Sequence, residues 1–278
     1  METPIPLPAA TLVLLRPEPE GFSVLLMQRP AKSSFMGGMH VFPGGKVEPS
    51  DYERPTEGLS GRLAGPMRLD PREAGGYIQA ALRETFEEMG LLPGVVDCAA
   101  AERQHARAAL AENPAFWNGW SYTASEPLAP VVYFDHWITP TFEAKRFDTR
   151  FFATVVEPNS RPEPNHEAVH WQFYRPSQAL AAFRAGEIRL APPTLITILR
   201  LADYDSGPKA LAGLAARRVS PLLPIMVNME PVTMALPGHP EHPVQEAEAD
   251  NPTQLVLDNG EWIISWKQDA RGLDSSPT

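Results

Sequence analysis

The sequence predicts an α+β fold, and three observations carry that expectation. Two apolar runs, residues 11–15 and 22–28, flank the turn Pro17-Glu18-Pro19-Glu20-Gly21 and read as strands. A long helix is bounded by Asp70-Pro71 and Gly90. Its residues Ile78, Ala81, Leu82 and Phe86 form an apolar stripe opposite a row of glutamates. Near the end of the chain, Leu255-Val256-Leu257 and Trp262-Ile263-Ile264 flank Asp258-Asn259-Gly260, a tight-hairpin signal. The 31 prolines are too many for a protein of long helices alone and imply many loops.

After the first two strands, His40-Val41-Phe42 is a short strand running into Gly44-Gly45. Paired glycines tolerate positive φ and mark a tight turn. Residues 52–69, rich in Gly, Pro and Arg, are expected as an irregular inserted loop. The helix opened by Asp70-Pro71 follows, then a second over residues 99–110 and an aromatic loop with Phe116, Trp117, Trp120 and Tyr122. Residues 131–138, 150–156 and 169–174 read as strands, and 176–185 and 192–201 as helices. In the tail, 222–227 and 232–236 are extended, and the Pro/His/Glu-rich stretch 237–252 is expected as a flexible loop before the hairpin.

The chain has 278 residues, 43% hydrophobic and 21% charged, values of a globular protein with a substantial core. Acidic residues number 34 against 24 basic ones, for a net charge of −10. That balance argues against a nucleic-acid partner, which needs clustered Lys and Arg. A small anionic substrate stays compatible where a metal and a few arginines reverse the local sign. The single cysteine, Cys98, excludes an intramolecular disulfide and reads as a small apolar packing residue. No apolar run reaches the roughly 18 residues of a membrane span. Met1-Glu2-Thr3-Pro4 lacks a basic leader start, and Ser276-Pro277-Thr278 is not a Ser-Lys-Leu address. A cytoplasmic location without a membrane partner is expected, and a homodimer stays open.

The chemistry is concentrated in Arg83-Glu84-Thr85-Phe86-Glu87-Glu88-Met89-Gly90-Leu91. Glu84, Glu87 and Glu88 stand at i, i+3 and i+4, so their Cβ atoms are about 5–6 Å apart on one helix face. Like charges so placed repel by about a few tenths of a kcal/mol per pair on an exposed helix. They are either solvated surface glutamates with Arg83 as counter-charge, or the ligands of a hard cation such as Mg²⁺ or Mn²⁺.

Together with Phe42-Pro43-Gly44-Gly45-Lys46-Val47-Glu48, this stretch resembles the Nudix box, G-x5-E-x7-R-E-U-x-E-E-x-G-U with U aliphatic. Arg83, Glu84, Glu87, Glu88, Gly90 and Leu91 match, and Thr85 stands where an aliphatic residue is usual. Counting from Gly45, Asp51 takes the position of the first glutamate, and residues 52–82 stand where the pattern has seven.

The resemblance implies an α/β/α sandwich with a mixed central sheet. It gives a Nudix hydrolase domain over residues 8–205, interrupted by an insertion at 52–75, with a C-terminal β-rich extension over 206–278 packed on the core. It also implies cleavage of a diphosphate in a nucleoside-diphosphate-X substrate, with Mg²⁺ or Mn²⁺ as cofactor. Glu87 and Glu88 are then direct ligands, Glu84 a ligand or the group orienting water, the Gly45 carbonyl a further ligand, and Arg83 the residue that holds a carboxylate in place. A distant acid often serves as base in this family; Glu163 and Glu167 are the candidates, and Glu167 lies four residues before Trp171.

Segments outside the box are also similar to one Nudix subgroup, the one that includes the mammalian peroxisomal acyl-CoA diphosphatase, whose box is interrupted too. They include residues 24–29, 35–45, 137–140, 146–152 and 190–194. The implied substrate is CoA or acyl-CoA, cut to phosphopantetheine and adenosine 3′,5′-bisphosphate. Arg29, Arg146 and Arg150 are then candidates for phosphate binding, unless they form structural ion pairs. Phe35, Met36 and the Trp117/Trp120 loop either line an apolar slot or belong to the core. Two other readings stay open: the same chemistry on ADP-ribose, a dinucleotide or a nucleoside triphosphate, and a Nudix-fold binding module without catalysis.

Overall fold

The computed structural model describes residues 3–54, 56, 58–93, 95–97, 99–120, 123–124 and 130–266. Cys98 and Tyr122 lie outside the described residues. The elements in chain order begin with β1 (Leu7–Pro17), β2 (Phe22–Gln28), β3 (His40–Val41) and β4 (Gly44–Lys46). Next come α1 (Leu59–Met67), α2 (Pro71–Met89), β5 (Val95–Asp97), α3 (Ala100–Glu112), α4 (Phe116–Gly119) and β6 (Thr123–Ala124). The second half holds β7 (Val132–Ile138), β8 (Phe147–Val155), β9 (His170–Tyr174), α5 (Pro176–Arg184), α6 (Pro192–Leu201) and α7 (Gly207–Ala215). Strands β10 (Ile225–Met229), β11 (Val232–Ala235), β12 (Pro252–Asp258) and β13 (Glu261–Trp266) close the described chain.

β1 organises the fold. It pairs in parallel with β8 along its length, from Leu7↔Phe147 to Leu15↔Val155. On its other edge it pairs antiparallel with β4 at residues 9–11 and with β2 at residues 15–17. β2 pairs antiparallel with β3 and β9, and β7 with β8, which completes a mixed sheet of seven strands. Side chains alternate across a strand. Ala10, Leu12 and Leu14 therefore enter a core shared with Ile78, Ala81, Leu82 and Phe86 of α2. Val13 and Leu15 enter a second core with Leu195 and Ile198 of α6 and Leu211 and Leu214 of α7. Both faces are covered, so β1 reads as an unbroken apolar run. The result is the α/β/α sandwich that the resemblance implies.

Besides the single turn of α4 within the expected aromatic loop, two helices depart from the sequence reading. Residues 59–67, expected as irregular, form α1. Leu59, Ala64 and Met67 pack into the α2-side core, and Arg68 closes the helix at φ 56°. Pro66 stands inside the helix near its C-terminal end, where it removes one backbone donor. α7 carries Ala210, Leu211 and Leu214 onto β1, β7 and β8, a stripe too short to stand out as a periodic pattern.

The tail adds a four-stranded antiparallel sheet in the order β10-β11-β12-β13. Asn259 and Gly260, at φ 48° and 87°, make the two-residue turn that the hairpin signal announces. Met234 and Leu255 from this sheet join the same core as α6 and α7. Residues 237–251 hold no regular element and are tied to the core at His242 and Asn251. A ring nitrogen of buried His242 meets the Leu223 carbonyl at 3.0 Å, and the Asn251 Oδ1 accepts from Arg200 and Arg217. No helix among the described residues is long and apolar enough to cross a membrane.

Candidate active site

Helix α2 is fixed at both ends. The Asp70 Oδ1 accepts from the Arg72 and Glu73 amides at 2.8 and 2.9 Å, and Pro71 starts the first turn. At the other end, Gly90 adopts φ 67° and donates to the Phe86 carbonyl. The last carbonyls, left without helical partners, are taken up by two distant segments. Arg107 on α3 donates to the carbonyls of Glu87 and Glu88, the Asn165 amide to that of Glu88, and the Glu163 amide to that of Met89. This docks the loop carrying Glu163 and Glu167 against the carboxylate end of the helix.

The interruption of the box closes on itself in space. A Cβ at Gly76 would run into the Tyr52 ring, and one at Gly75 would touch Thr56. Two glycines in a helix cost about 0.5–1 kcal/mol each relative to alanine. Here their bare backbone lets Tyr52 and Thr56 lie against α2. Asp51, fully buried, then reaches Arg83: Nε meets Oδ1 and one terminal nitrogen meets Oδ2, both at 2.9 Å. The same guanidinium donates to the Lys46 carbonyl at 2.9 Å and to Glu84 Oε1 at 3.0 Å, and lies 3.6 Å from Glu87 Oε2. Burial works against its charge, but Asp51 and Glu84 outweigh burial and hold it charged.

Around this hub stand the carboxylates. Glu88 is buried and accepts from the Gly44 amide at 2.9 Å. Gly45 faces Glu84 so closely that any Cβ would collide with the carboxylate. Burial raises the Glu84 carboxyl to about 7; the Arg83 charge opposes this, and Glu87 and Glu167 add to it. Burial also raises Glu87 and Glu88, with Glu167 adding to both and Glu84 to Glu88. Glu167 therefore lies in the field of all three glutamates. Glu163 is exposed and pairs with Arg103 at 3.1 Å. Thr85, in the aliphatic position of the box, is buried and satisfies its hydroxyl on the Ala81 carbonyl at 2.7 Å.

These donors fit a hard divalent cation. They are all oxygens, they carry more negative charge than Arg83 balances, and their raised pKa values mark an electrostatic deficit that a cation would fill. They also sit at the C-terminal end of a helix, where the macrodipole disfavours negative charge. Among the described residues no three acidic, imidazole or thiolate side chains converge at ligating distance. Glu84 turns Oε1 to Arg83 and Glu88 turns Oε2 to the Gly44 amide, so each is held through one oxygen of its carboxylate.

The remaining candidates separate. Arg29 lies where its charge acts on Glu88, and its Nε is buried without a hydrogen-bond partner. Phe35 lines an apolar cavity and stacks edge-on to Phe147 at 5.0 Å. Arg146 is committed to backbone, donating to the carbonyls of Thr139, Pro140 and Pro4. Arg150 is buried; it donates through one terminal nitrogen to the Met67 carbonyl and the Tyr133 hydroxyl and lies 3.6 Å from Asp148, while its Nε, like that of Arg29, has no hydrogen-bond partner. Trp117 and Trp120 are core residues packed on Phe86 behind α2, and they line no slot beside Phe35. Arg107 and Asn165, which hold the helix end, carry no sequence signal: one is a helix arginine among several, the other a loop polar residue.

The NUDIX domain family model matches residues 6–192. Acyl-coenzyme A diphosphatase NUDT19 of Gallus gallus is 28% identical over 243 residues, which cover 68% of this chain and 64% of that protein. The protein of the same name from Homo sapiens is 28% identical over 289 residues, covering 80% of this chain and 73% of its own length. The chain thus spans about two thirds to three quarters of these relatives. The structure of a NUDIX hydrolase from Alicyclobacillus acidocaldarius superposes with a TM-score of 0.62 at 24% identity, covering 77% of this chain and 98% of that one. That likeness is one of fold.

Proposed function

The chain belongs to the Nudix hydrolase family, and from that premise we propose that it is a Mg²⁺- or Mn²⁺-dependent diphosphatase of CoA or acyl-CoA, releasing phosphopantetheine and adenosine 3′,5′-bisphosphate. The observation that carries the chemistry is the buried Asp51–Arg83 pair, which closes the interrupted box and leaves Glu84 against Gly45, Glu88 on the Gly44 amide and Glu87 beside Arg83. The substrate reading rests on the relatives named acyl-coenzyme A diphosphatase and on the interruption itself.

Glu84, Glu87 and Glu88 would hold the cation, with the Gly45 carbonyl as a further donor. When bound, the ion supplies positive charge to the diphosphate oxygens. Arg83 fixes the Glu84 rotamer and spaces Glu87, while its grip on Asp51 keeps the guanidinium from moving into the site. The Gly44 amide holds Glu88 in place. Glu167, across from the three glutamates, takes a proton from the attacking water. The water oxygen forms the new P–O bond, and the bridging oxygen departs with the other phosphate. Arg29 faces the same space and steadies a phosphate oxygen of the substrate.

A panel of CoA, a medium-chain acyl-CoA, ADP-ribose, a dinucleotide and a nucleoside triphosphate, each incubated with Mg²⁺ and read by product mass, tests this reading. Adenosine 3′,5′-bisphosphate from CoA or acyl-CoA is the expected product. Turnover of ADP-ribose without CoA would replace the substrate, and no turnover of any compound would reduce the chain to a binding module.

A further inference from the structure

An apolar cavity of about 530 Å³ lies on the face of the central sheet away from α2, between that sheet and the C-terminal one. We propose that it takes the acyl chain of an acyl-thioester substrate, so that the C-terminal sheet sets acyl specificity. This rests on the CoA-type reading of the carboxylate site.

The wall is built by register. β10 to β13 pair so that Met226, Met234 and Leu255 form one cross-strand row, and Val232, Leu257 and Trp262 the next. All six line the cavity. One face of the added sheet is therefore given over to it, opposite Phe42 and Phe151 of the central domain. Among the described residues the lining contains no arginine, lysine or histidine, so it offers no cationic partner to a phosphate or nucleotide. Four of the nine methionines, Met36, Met39, Met226 and Met234, line it. Methionine is unbranched and adapts its shape, which suits a flexible chain of variable length. The volume lies in the range of ligand pockets, and each buried methylene strengthens binding by about fourfold.

The cavity is joined to the carboxylates at two places. Thr11 in its wall is the ladder partner of Gly44, whose amide holds Glu88. The carbonyl of Met39, also in the wall, accepts from the Arg29 amide at 3.0 Å, and the Arg29 charge acts on Glu88. The loop over residues 30–39 thus runs between the two.

The test compares CoA with decanoyl-CoA in the full chain and in two cavity-filling variants at half-buried positions, Leu257→Trp and Val232→Phe. The parent should show a KM for decanoyl-CoA at least about tenfold below that for CoA. At least one variant, folded by circular dichroism, should raise the decanoyl-CoA value about tenfold and leave CoA within about twofold. Binding of decanoyl-pantetheine, which has no diphosphate, is followed in parallel by tryptophan fluorescence. If CoA is cleaved but decanoyl-pantetheine does not bind, or KM ignores the chain, the inference fails and the function stands. If nothing is hydrolysed but decanoyl-pantetheine binds saturably and Leu257→Trp abolishes it, the cavity assignment stands and the hydrolase reading fails.

Discussion

Asp51 and Arg83, 32 positions apart in sequence, meet through two parallel hydrogen bonds of 2.9 Å in a site that solvent barely reaches. A fork-to-fork pair of this kind fixes distance and angle together. It ties the segment after Gly45 to α2, which carries the three glutamates, across the insertion. Asp51, one methylene shorter than the glutamate of the box, is sufficient because the turn 49–52 lies directly on α2.

Asp51→Asn should therefore be costly. Breaking a buried pair leaves the partner charge uncompensated, typically at about 3–5 kcal/mol. Urea unfolding is expected to show a loss of that order, together with reduced turnover. A loss below about 0.5 kcal/mol would mean that the pair is not closed in solution.

Gly76→Ala separates helix propensity from packing. Alanine is the better helix former by about 0.8–1 kcal/mol, yet its methyl group would meet the Tyr52 ring. Gly76→Ala should destabilise the protein and slow turnover, and Tyr52→Ala in the same chain should recover part of the loss. A Gly76→Ala protein more stable than its parent would show that Tyr52 does not lie against α2.

The carboxylate cluster gives a signed pH dependence. Burial raises Glu84 to about 7 and also raises Glu87 and Glu88. The groups facing them are Arg83, Arg29, Arg107 and His166, which oppose the rise, and Glu167, which adds to it. A carboxyl whose folded pKa lies above its unfolded value near 4.3 stabilises the fold below that value. That contribution is lost as pH climbs through the folded pKa. In EDTA, Tm should fall between about pH 5 and pH 8, and Mg²⁺ should remove much of the fall by favouring the charged forms. A Tm in EDTA that climbs across the window would contradict the electrostatics of the cluster.

Local chemistry was legible in the sequence, and long-range use of side chains was not. Asp70, Pro71 and Gly90 announce the ends of α2, and Asn259-Gly260 the last hairpin, because caps and turns depend on a few adjacent residues. α1 was hidden because Gly61, Gly65 and Pro66 interrupt its apolar positions. The row of glutamates was readable; the capping of its carbonyls by Arg107 and Asn165 needed the fold. Arg146 and Arg150 resemble phosphate ligands in sequence, and only the fold shows the carbonyls that take up Arg146 and the carbonyl and hydroxyl that one terminal nitrogen of Arg150 meets. Trp117 and Trp120 follow the same logic: an aromatic pair gives no sign of which side of a helix it will cover.

Mn²⁺ titration followed by electron paramagnetic resonance, run on the parent, Glu87→Gln and Asp51→Asn with turnover measured in parallel, bears most directly on the carboxylate site. Saturable binding in the parent is expected, with affinity weakened at least about tenfold in Glu87→Gln and turnover reduced by about 10²-fold or more while the fold is kept. Asp51→Asn should weaken binding less, because it acts through Arg83. Equal Mn²⁺ affinity in the parent and Glu87→Gln, with turnover within about threefold, would remove Glu87 from the metal site and the three-glutamate reading with it.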